Sequence, residues 1–356
     1  MGVRDLFSVR IVGAGSIGNH LANGFITQNF SVEVYDNDIQ ALRRMKNEVY
    51  PSRYGLWDER IRLIEDISLV KNDTDVLVIG TPPEFHLQAT LEQLKFNSPK
   101  LILIEKPISH PDLSLLPKLQ GVISVKNCKI LVGYNHRLTP NTQFATEILK
   151  AGKIGSIISI TSQTRESWSG ILKAHPWISD ASESYLSSTF RGGGALYEHS
   201  HALNLLQYFI DICDLEPISS VQAGIDFVKL GTSKYDRISI LTLFNKSGQI
   251  FSVVQDFVTN PPLKEILING TDGQIIWRTS SNFDEVICYR LNGEIFDHFK
   301  IDKKRADDFS SEITHIKELL SQELSYSTLD YKFAVDTMNI VRAAFESNER
   351  GIRINL

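Results

Sequence analysis

Three short segments hold the residue types that chemistry would need. The first is Gly13-Ala14-Gly15-Ser16-Ile17-Gly18, a G-x-G-x-x-G directly after an apolar run and directly before a helical pattern. Gly13 permits a tight turn, Gly15 lets the backbone approach a pyrophosphate, and Gly18 allows close helix–strand packing. The helix that opens at Ser16 and Ile17 offers free N–H groups and partial positive charge to phosphate oxygens. The second segment is Leu101-Ile102-Leu103-Ile104-Glu105-Lys106-Pro107. Pro107 cannot donate to a sheet, so the strand ends there and leaves Lys106 at the mouth of the sheet. An ammonium there can hold a substrate oxygen and stabilise negative charge developing on it. Glu105 either positions Lys106 or is a solvated rim charge.

The third segment runs from Arg191 through Gly192-Gly193-Gly194 to Ala195-Leu196-Tyr197-Glu198-His199-Ser200-His201-Ala202-Leu203-Asn204. It reads as one helix from about Ala195 to Ile210. At about 100° per residue, Tyr197, His201, Asn204 and Tyr208 share one stripe that Glu198 borders, while His199 points away between Leu196 and Leu203. A polar stripe on an apolar helix suits a site wall. His201 is therefore the candidate general acid/base, since an unperturbed imidazole titrates near pH ~6.5. Glu198 would orient or polarise it; the plainer alternative is a satisfied core histidine beside a surface acid.

These segments need a frame. The first third alternates short β-rich runs with helical patterns, as βαβ units of a parallel sheet do. The strands expected are Ser8–Val12, Ser31–Tyr35, Ile61–Ile64, Val76–Ile79, Leu101–Ile104 and Ile130–Gly133, several of them continuous Val/Ile/Leu as in strands covered on both faces. Helices are expected at Ile17–Gln28, Ile39–Glu48 and Glu84–Lys95. The second strand ends at Asp36, near the usual ~20-residue offset from the glycine turn. A carboxylate there accepts both ribose hydroxyls of NAD and repels the 2′-phosphate of NADP, and Asn37 and Asp38 follow rather than an arginine. NAD is therefore favoured over NADP.

After about residue 150 the texture changes to longer strands with short turns, which argues for an antiparallel sheet. These strands are Ile154–Gln163, Val221–Leu230, Ile238–Phe244, Ile250–Phe257, Lys264–Asn269, Gln274–Trp277 and Val286–Leu291; helices are expected at about Ser310–Leu320 and Tyr331–Glu346. The fold class is α/β, with an N-terminal Rossmann parallel sheet and a C-terminal α+β domain whose sheet is mostly antiparallel. The expected division is 1–134 for the dinucleotide domain, 135–330 for substrate and oligomerisation, and 331–356 as a C-terminal helix packing back on the Rossmann domain.

With Thr81-Pro82-Pro83, the glycine loop, Glu105-Lys106-Pro107 and Gly192-Gly193-Gly194, the chain resembles the glucose–fructose oxidoreductase/inositol dehydrogenase/MocA (Gfo/Idh/MocA) family over nearly its whole length. The resemblance implies an NAD-dependent oxidoreductase that moves a hydride between nicotinamide and a hydroxyl carbon of a sugar, nucleotide sugar or cyclitol. It implies that Lys106 contacts both substrate and nicotinamide, that Pro107 turns the chain through a cis bond, and that Thr81, Pro82, His86, Glu105 and Asn135 join Gly13, Gly15, Ser16, Ile17, Gly18 and Asp36 around the cofactor. The family's helix pattern is Asp-x-x-x-His, whereas here Glu198 and His201 are three apart and Tyr197 stands four before His201. That is closer to the acid-x-Ser-His form of surface-sugar relatives. Arg137, Trp168, Arg191 and Tyr197 are further substrate candidates, in a chain where Arg165, His175 and Trp177 add polar and aromatic character. For Trp168 the bland alternative is packing, for Asn135 and Arg137 a cap at the junction between domains, and for Arg191 a plain surface arginine. The same family includes redox-neutral NAD-dependent glycosidases and non-catalytic NAD-binding regulators, and intact Glu105-Lys106-Pro107 argues against the regulator.

Bulk properties narrow the classes. A formal net charge of −5 gives no basic stripe for nucleic acid. Cys128, Cys213 and Cys288 lie far apart with no metal-type spacing, so no metal and a reducing compartment are expected. The N-terminus lacks an apolar h-region, Leu6 stands where myristoylation needs Ser or Thr, and no run approaches ~18 apolar residues. A cytoplasmic protein free of membrane is expected, and the family resemblance implies a homodimer or homotetramer, because the family's antiparallel sheet commonly pairs face to face.

Overall fold

The computed structural model describes residues 6–70, 73–173, 177–178 and 180–356. The chain divides into two compact units, Met1–Gly133 with Ala306–Tyr331, and Tyr134–Arg305 with Lys332–Leu356.

The first unit is built on β1 (Ser8–Val12), α1 (Ser16–Thr27), β2 (Ser31–Tyr35), α2 (Ile39–Arg44), α3 (Tyr50–Tyr54), β3 (Ile61–Ile64), β4 (Val76–Ile79), α4 (His86–Gln93), β5 (Leu101–Ile104), α5 (Leu116–Lys126) and β6 (Lys129–Val132). The six strands form one parallel sheet in the order β3-β2-β1-β4-β5-β6. Every residue of β4 and β5 is buried, which only apolar side chains on both faces tolerate. The chain leaves β1 in one direction and β4 in the other. Loops at the carboxyl ends of these two strands therefore flank a switch point, where open α/β sheets bind ligands.

The second unit contains α6 (Pro140–Lys150), β7 (Ile157–Arg165), α7 (Trp168–Lys173), α8 (Ala195–Glu198), α9 (His201–Ile212) and the strands β8 (Ile218–Leu230), β9 (Ser233–Asn245), β10 (Ile250–Asp256), β11 (Leu263–Gly270), β12 (Gly273–Thr279), β13 (Phe283–Arg290) and β14 (Ile295–Asp302). Its nine-stranded sheet runs β14-β13-β12-β11-β7-β10-β9-β8-β15 and is antiparallel except where β10 pairs with β7. The last member is the short β15 (Ile354–Asn355). Strand β14 had no counterpart in the sequence reading. Its burial pattern is almost wholly exposed, so no apolar alternation marks it.

Two helices depart from the expected division. α10 (Arg305–Leu320) returns to the first unit, where Phe309 stacks on His20 with centroids 4.9 Å apart and Gln28 donates to the Ser310 carbonyl. α11 (Tyr331–Arg350) was expected to pack on the Rossmann domain and instead groups with the second unit. Asn204 donates to Thr337, Phe345 stacks on Tyr197, and Ser347 and Asn348 accept the backbone N–H groups of Ala223 and Ile225. Apart from Phe345, these contacts use polar positions of an amphipathic helix, which periodicity alone does not assign to a partner. Among the described residues no helix is long and apolar enough to cross a membrane.

Candidate functional site

The first unit carries a loop shaped for a dinucleotide. The Gly13 N–H donates to the Tyr35 carbonyl and the Gly80 N–H to the Val12 carbonyl, which draws the loop after β1 against the loop after β4. Gly13 has φ +114°, and a Cβ on it would lie 2.6 Å from the Gly80 oxygen. A Cβ on Gly18 would lie 2.0 Å from the Gly13 oxygen. At Gly15 a Cβ would meet nothing within 4 Å, so that side of the loop is open. No side chain caps α1, which leaves its first N–H groups for a ligand.

Asp36 braces this loop. One carboxylate oxygen accepts the Ala14 N–H at 2.8 Å and the other the Asp38 N–H at 2.9 Å. Across the switch point the buried Thr81 hydroxyl has no protein partner. Open space at Gly15, an uncapped helix, a fixed carboxylate and an unpartnered hydroxyl together fit a pyrophosphate with its adjoining ribose. Sequence reading missed Arg53, whose guanidinium donates to the Ser16 carbonyl and hydroxyl, both at 2.9 Å. No motif marks this arginine, and only the fold brings α3 to the glycine loop.

At the end of β5, Lys106 is half-buried and the Lys106–Pro107 bond is cis. Glu105 is buried, not a solvated rim charge, and its carboxylate lies over Gly133, where a Cβ would come within 3.1 Å of both oxygens. His86, expected at the cofactor, is a strut instead. Its ring nitrogens lie 2.8 Å from the Pro107 carbonyl and 2.6 Å from the Thr81 carbonyl, so neither is left for a nucleotide. Burial, helped by the Lys106 charge, pushes its imidazole down to about 4. A neutral ring donates to one of these two carbonyls only, and it sits between the loops that carry Thr81 and Lys106.

In the second unit the expected continuous helix is broken. Ser200 N–H bonds the Tyr197 carbonyl and Ala202 N–H the His199 carbonyl, so i→i+3 bonds tighten the chain between α8 and α9. The stripe expected from Tyr197 to His201 therefore does not run through. Tyr197 is fully buried, stacked on Phe345, and its hydroxyl has no protein partner. Its burial inside the unit removes it from the candidate substrate contacts. His199 lies edge-on to Phe257. His201 opens α9 with its ring stacked on His136, centroids 4.2 Å apart, and edge-on to Tyr134 at 5.4 Å. Tyr134 in turn donates to the Ser200 hydroxyl.

Arg137 is a buried brace. Its Nε donates to the Asn204 side-chain oxygen at 2.6 Å, a terminal nitrogen to the Asn204 carbonyl, and its guanidinium lies over Phe333 and Tyr208. Trp168 gives its indole N–H to the Tyr235 hydroxyl and packs on Phe257 in a small apolar cluster. Arg191 and Glu198 stay half-buried on either side of the glycine turn, and Asn135 is buried in the turn after β6. His175 lies outside the described residues.

Asp236 on β9 organises that glycine turn, and no motif marks it. A Cβ on Gly194 would fall 1.8 Å from its carboxylate, which accepts from the Leu196 N–H and the Thr189 and Ser239 hydroxyls. The α8 start is thus held from β9. Burial pushes the Asp236 carboxyl up to about 6, against the opposing effect of these hydrogen bonds.

Residues 142–276 match the model of the GFO/IDH/MocA C-terminal domain. A stretch of 112 residues, 32% of this chain, is 30% identical to inositol 2-dehydrogenase of Rhizobium meliloti and spans 33% of that protein's length. Among solved structures the fold is similar to the WlbA dehydrogenase of Bordetella pertussis, solved with NADH and UDP-GlcNAcA, at TM-score 0.71 and 16% identity over 99% of each chain. It is also similar to an oxidoreductase of Agrobacterium radiobacter, solved with NAD+, L-tartaric acid and magnesium, at TM-score 0.74 and 16% identity over 98% of each chain. The second unit thus carries the match to the GFO/IDH/MocA C-terminal domain, beside a first unit that is a Rossmann sheet, and the chain shares its fold with these solved oxidoreductases.

Proposed function

We propose that this chain oxidises or reduces a hydroxyl-bearing carbon of a sugar, nucleotide sugar or cyclitol, with NAD as redox partner. The observation that carries the reading is the sheet edge of the first unit. There the open, uncapped glycine loop braced by Asp36 stands on the same edge as Lys106, which Pro107 places beyond β5. In this reading Gly13, Gly15, Ser16, Ile17 and Gly18 hold the pyrophosphate, Asp36 the ribose hydroxyls, and Thr81 turns its unpartnered hydroxyl to the ligand. The bound nicotinamide supplies the hydride acceptor or donor. Lys106 holds the substrate oxygen and stabilises charge developing on it. His201 takes or returns the hydroxyl proton, and Glu198 polarises it. The inositol and nucleotide-sugar relatives support the substrate class.

The test is reduction of added NAD across a panel of sugars, nucleotide sugars and cyclitols, with Lys106→Ala as control. NADH formation from one substrate, lost in the variant, is the expected result. Hydrolysed or epimerised sugar without net NADH would replace it with a redox-neutral reaction, and NAD binding with no product from any substrate would count against the enzyme.

A further inference from the structure

The short helix α3 is seated along α1 by three of its side chains. Tyr50, Arg53 and Tyr54 stand at i, i+3 and i+4, which is one helix face. Tyr50 donates its hydroxyl to the Asn23 side chain at 3.0 Å, Tyr54 sets its hydroxyl against the His20 ring, and Arg53 donates to both Ser16 oxygens at 2.9 Å. Ser16, His20 and Asn23 stand at i, i+4 and i+7 of α1, again one stripe. A π-helical turn, Met45–Val49, separates α3 from α2, and its wider winding resets the face that α3 presents.

This seating delivers an arginine to the turn where the dinucleotide loop enters its helix. Ser16 follows Gly15, whose outer side is open, and it begins α1, whose first N–H groups no side chain caps. A serine hydroxyl has one proton to give and two lone pairs to accept with. Arg53 takes the accepting side of that oxygen, so the hydroxyl proton must go to another group. Among the described residues nothing accepts it, although Ser16 is buried. The other arm of the guanidinium fork takes the Ser16 carbonyl, which fixes its plane. Both oxygens are neutral, and the two bonds bring a positive charge to the positive end of a helix. A cation there is unfavourable until an anion joins it. The Asp36 carboxylate on this loop is engaged with the Ala14 and Asp38 N–H groups.

We propose that Arg53 is a positioning residue for the dinucleotide pyrophosphate: it fills the accepting side of the Ser16 hydroxyl, turns that O–H to a phosphate oxygen and sets its own charge behind it. This role rests on the reading of the glycine loop given above.

The test is NADH affinity, by fluorescence titration of the whole protein, for wild type, Arg53→Met, Ser16→Ala and the double variant. Each single change should weaken binding by about tenfold, as loss of a hydrogen bond to a charged group does. The double variant should lose no more than about twofold beyond the weaker single one, because both changes remove the same link. Rising salt should weaken wild-type binding more steeply than Arg53→Met binding, and Arg53→Lys should keep the wild-type salt dependence. An arginine that merely packed α3 would lower affinity by the same factor at every ionic strength. If Arg53→Met does not fold, Arg53→Lys completes the cycle with Ser16→Ala, since lysine lacks the planar fork that takes both Ser16 oxygens; a several-fold, non-additive loss is then expected. Losses that multiply in the double variant overturn the route through Ser16. Wild-type affinity in Arg53→Met, or the same salt dependence in both, overturns the role of Arg53 while NADH binding by the wild type leaves the glycine-loop reading standing. No NADH binding by the wild type overturns both.

Discussion

The imidazole of His136 stacks on that of His201 with ring centroids 4.2 Å apart and an interplanar angle of 26°. Two imidazolium charges that close repel, so a proton on one ring disfavours a proton on the other. If His201 is the proton acceptor of the reaction, His136 shapes its pH dependence while touching no reacting atom. His136→Phe should keep the stack and turn a coupled acid limb in the kcat profile into a single-proton one. Should the variant's acid limb match that of the wild type, His136 has no part in proton transfer.

Asp36 has two tasks that can be separated. Its carboxylate braces Ala14 and supplies the charge expected to exclude a 2′-phosphate. Asp36→Asn keeps an acceptor for the Ala14 N–H and removes the charge. It should shift the NADH/NADPH affinity ratio towards NADPH by about tenfold, roughly 1.4 kcal/mol, with little loss of thermal stability. Equal ratios in variant and wild type, by fluorescence titration of both reduced nucleotides, would remove Asp36 as the selector.

The glycine loop gives a paired test. Gly18→Ala drives a Cβ to 2.0 Å from the Gly13 oxygen, a backbone atom that cannot turn aside. It should cost about 1–3 kcal/mol of stability, as overpacking does. Gly15→Ala meets no atom and has an ordinary extended backbone, so stability should stay within about 0.5 kcal/mol of wild type. NADH affinity should nonetheless fall tenfold or more, because the methyl takes the space the pyrophosphate needs. Undiminished NADH binding by Gly15→Ala would refute the placement of the phosphates.

The sequence carried the Rossmann half well for a physical reason. Strands such as Val76–Ile79 and Leu101–Ile104 are buried on both faces, and nothing but continuous apolar residues satisfies them. The wide sheet of the second unit was legible where turns such as Asn245–Gly248 punctuate alternation, and invisible at Ile295–Asp302, which faces solvent. Site residues divide in the same way. Gly13, Asp36 and Lys106 follow from local backbone demands. Arg53, Asp236 and His136 act through neighbours distant in sequence, and no local pattern announces them. The helix stripe that linked Tyr197 to His201 assumed a constant rotation per residue, and the tightened turn at His199–Ser200 breaks that assumption.

Asp236 should give the second unit a recognisable pH signature. Its carboxyl is fully buried and raised from the ordinary value near 3.8 to about 6, with burial the largest cause. Folded protein therefore binds this proton more readily than unfolded chain between those two values. The stability it contributes is fully present below about pH 4, falls as pH rises towards 6, and does not change further above that. The difference of about two units corresponds to roughly 3 kcal/mol. Asp236→Asn keeps an oxygen for the Leu196 N–H and removes the titration. Its stability against pH should be flat through this window where the wild type declines. The start of α8 depends on the same carboxylate, so Asp236→Ala should loosen the turn at Gly194 and lower kcat through displaced Glu198 and His201, whereas the Asn variant should retain most activity. A wild-type stability curve that rises between pH 4 and 6 and does so equally in the Asn variant would show that other groups govern this window and that Asp236 is ionised throughout it.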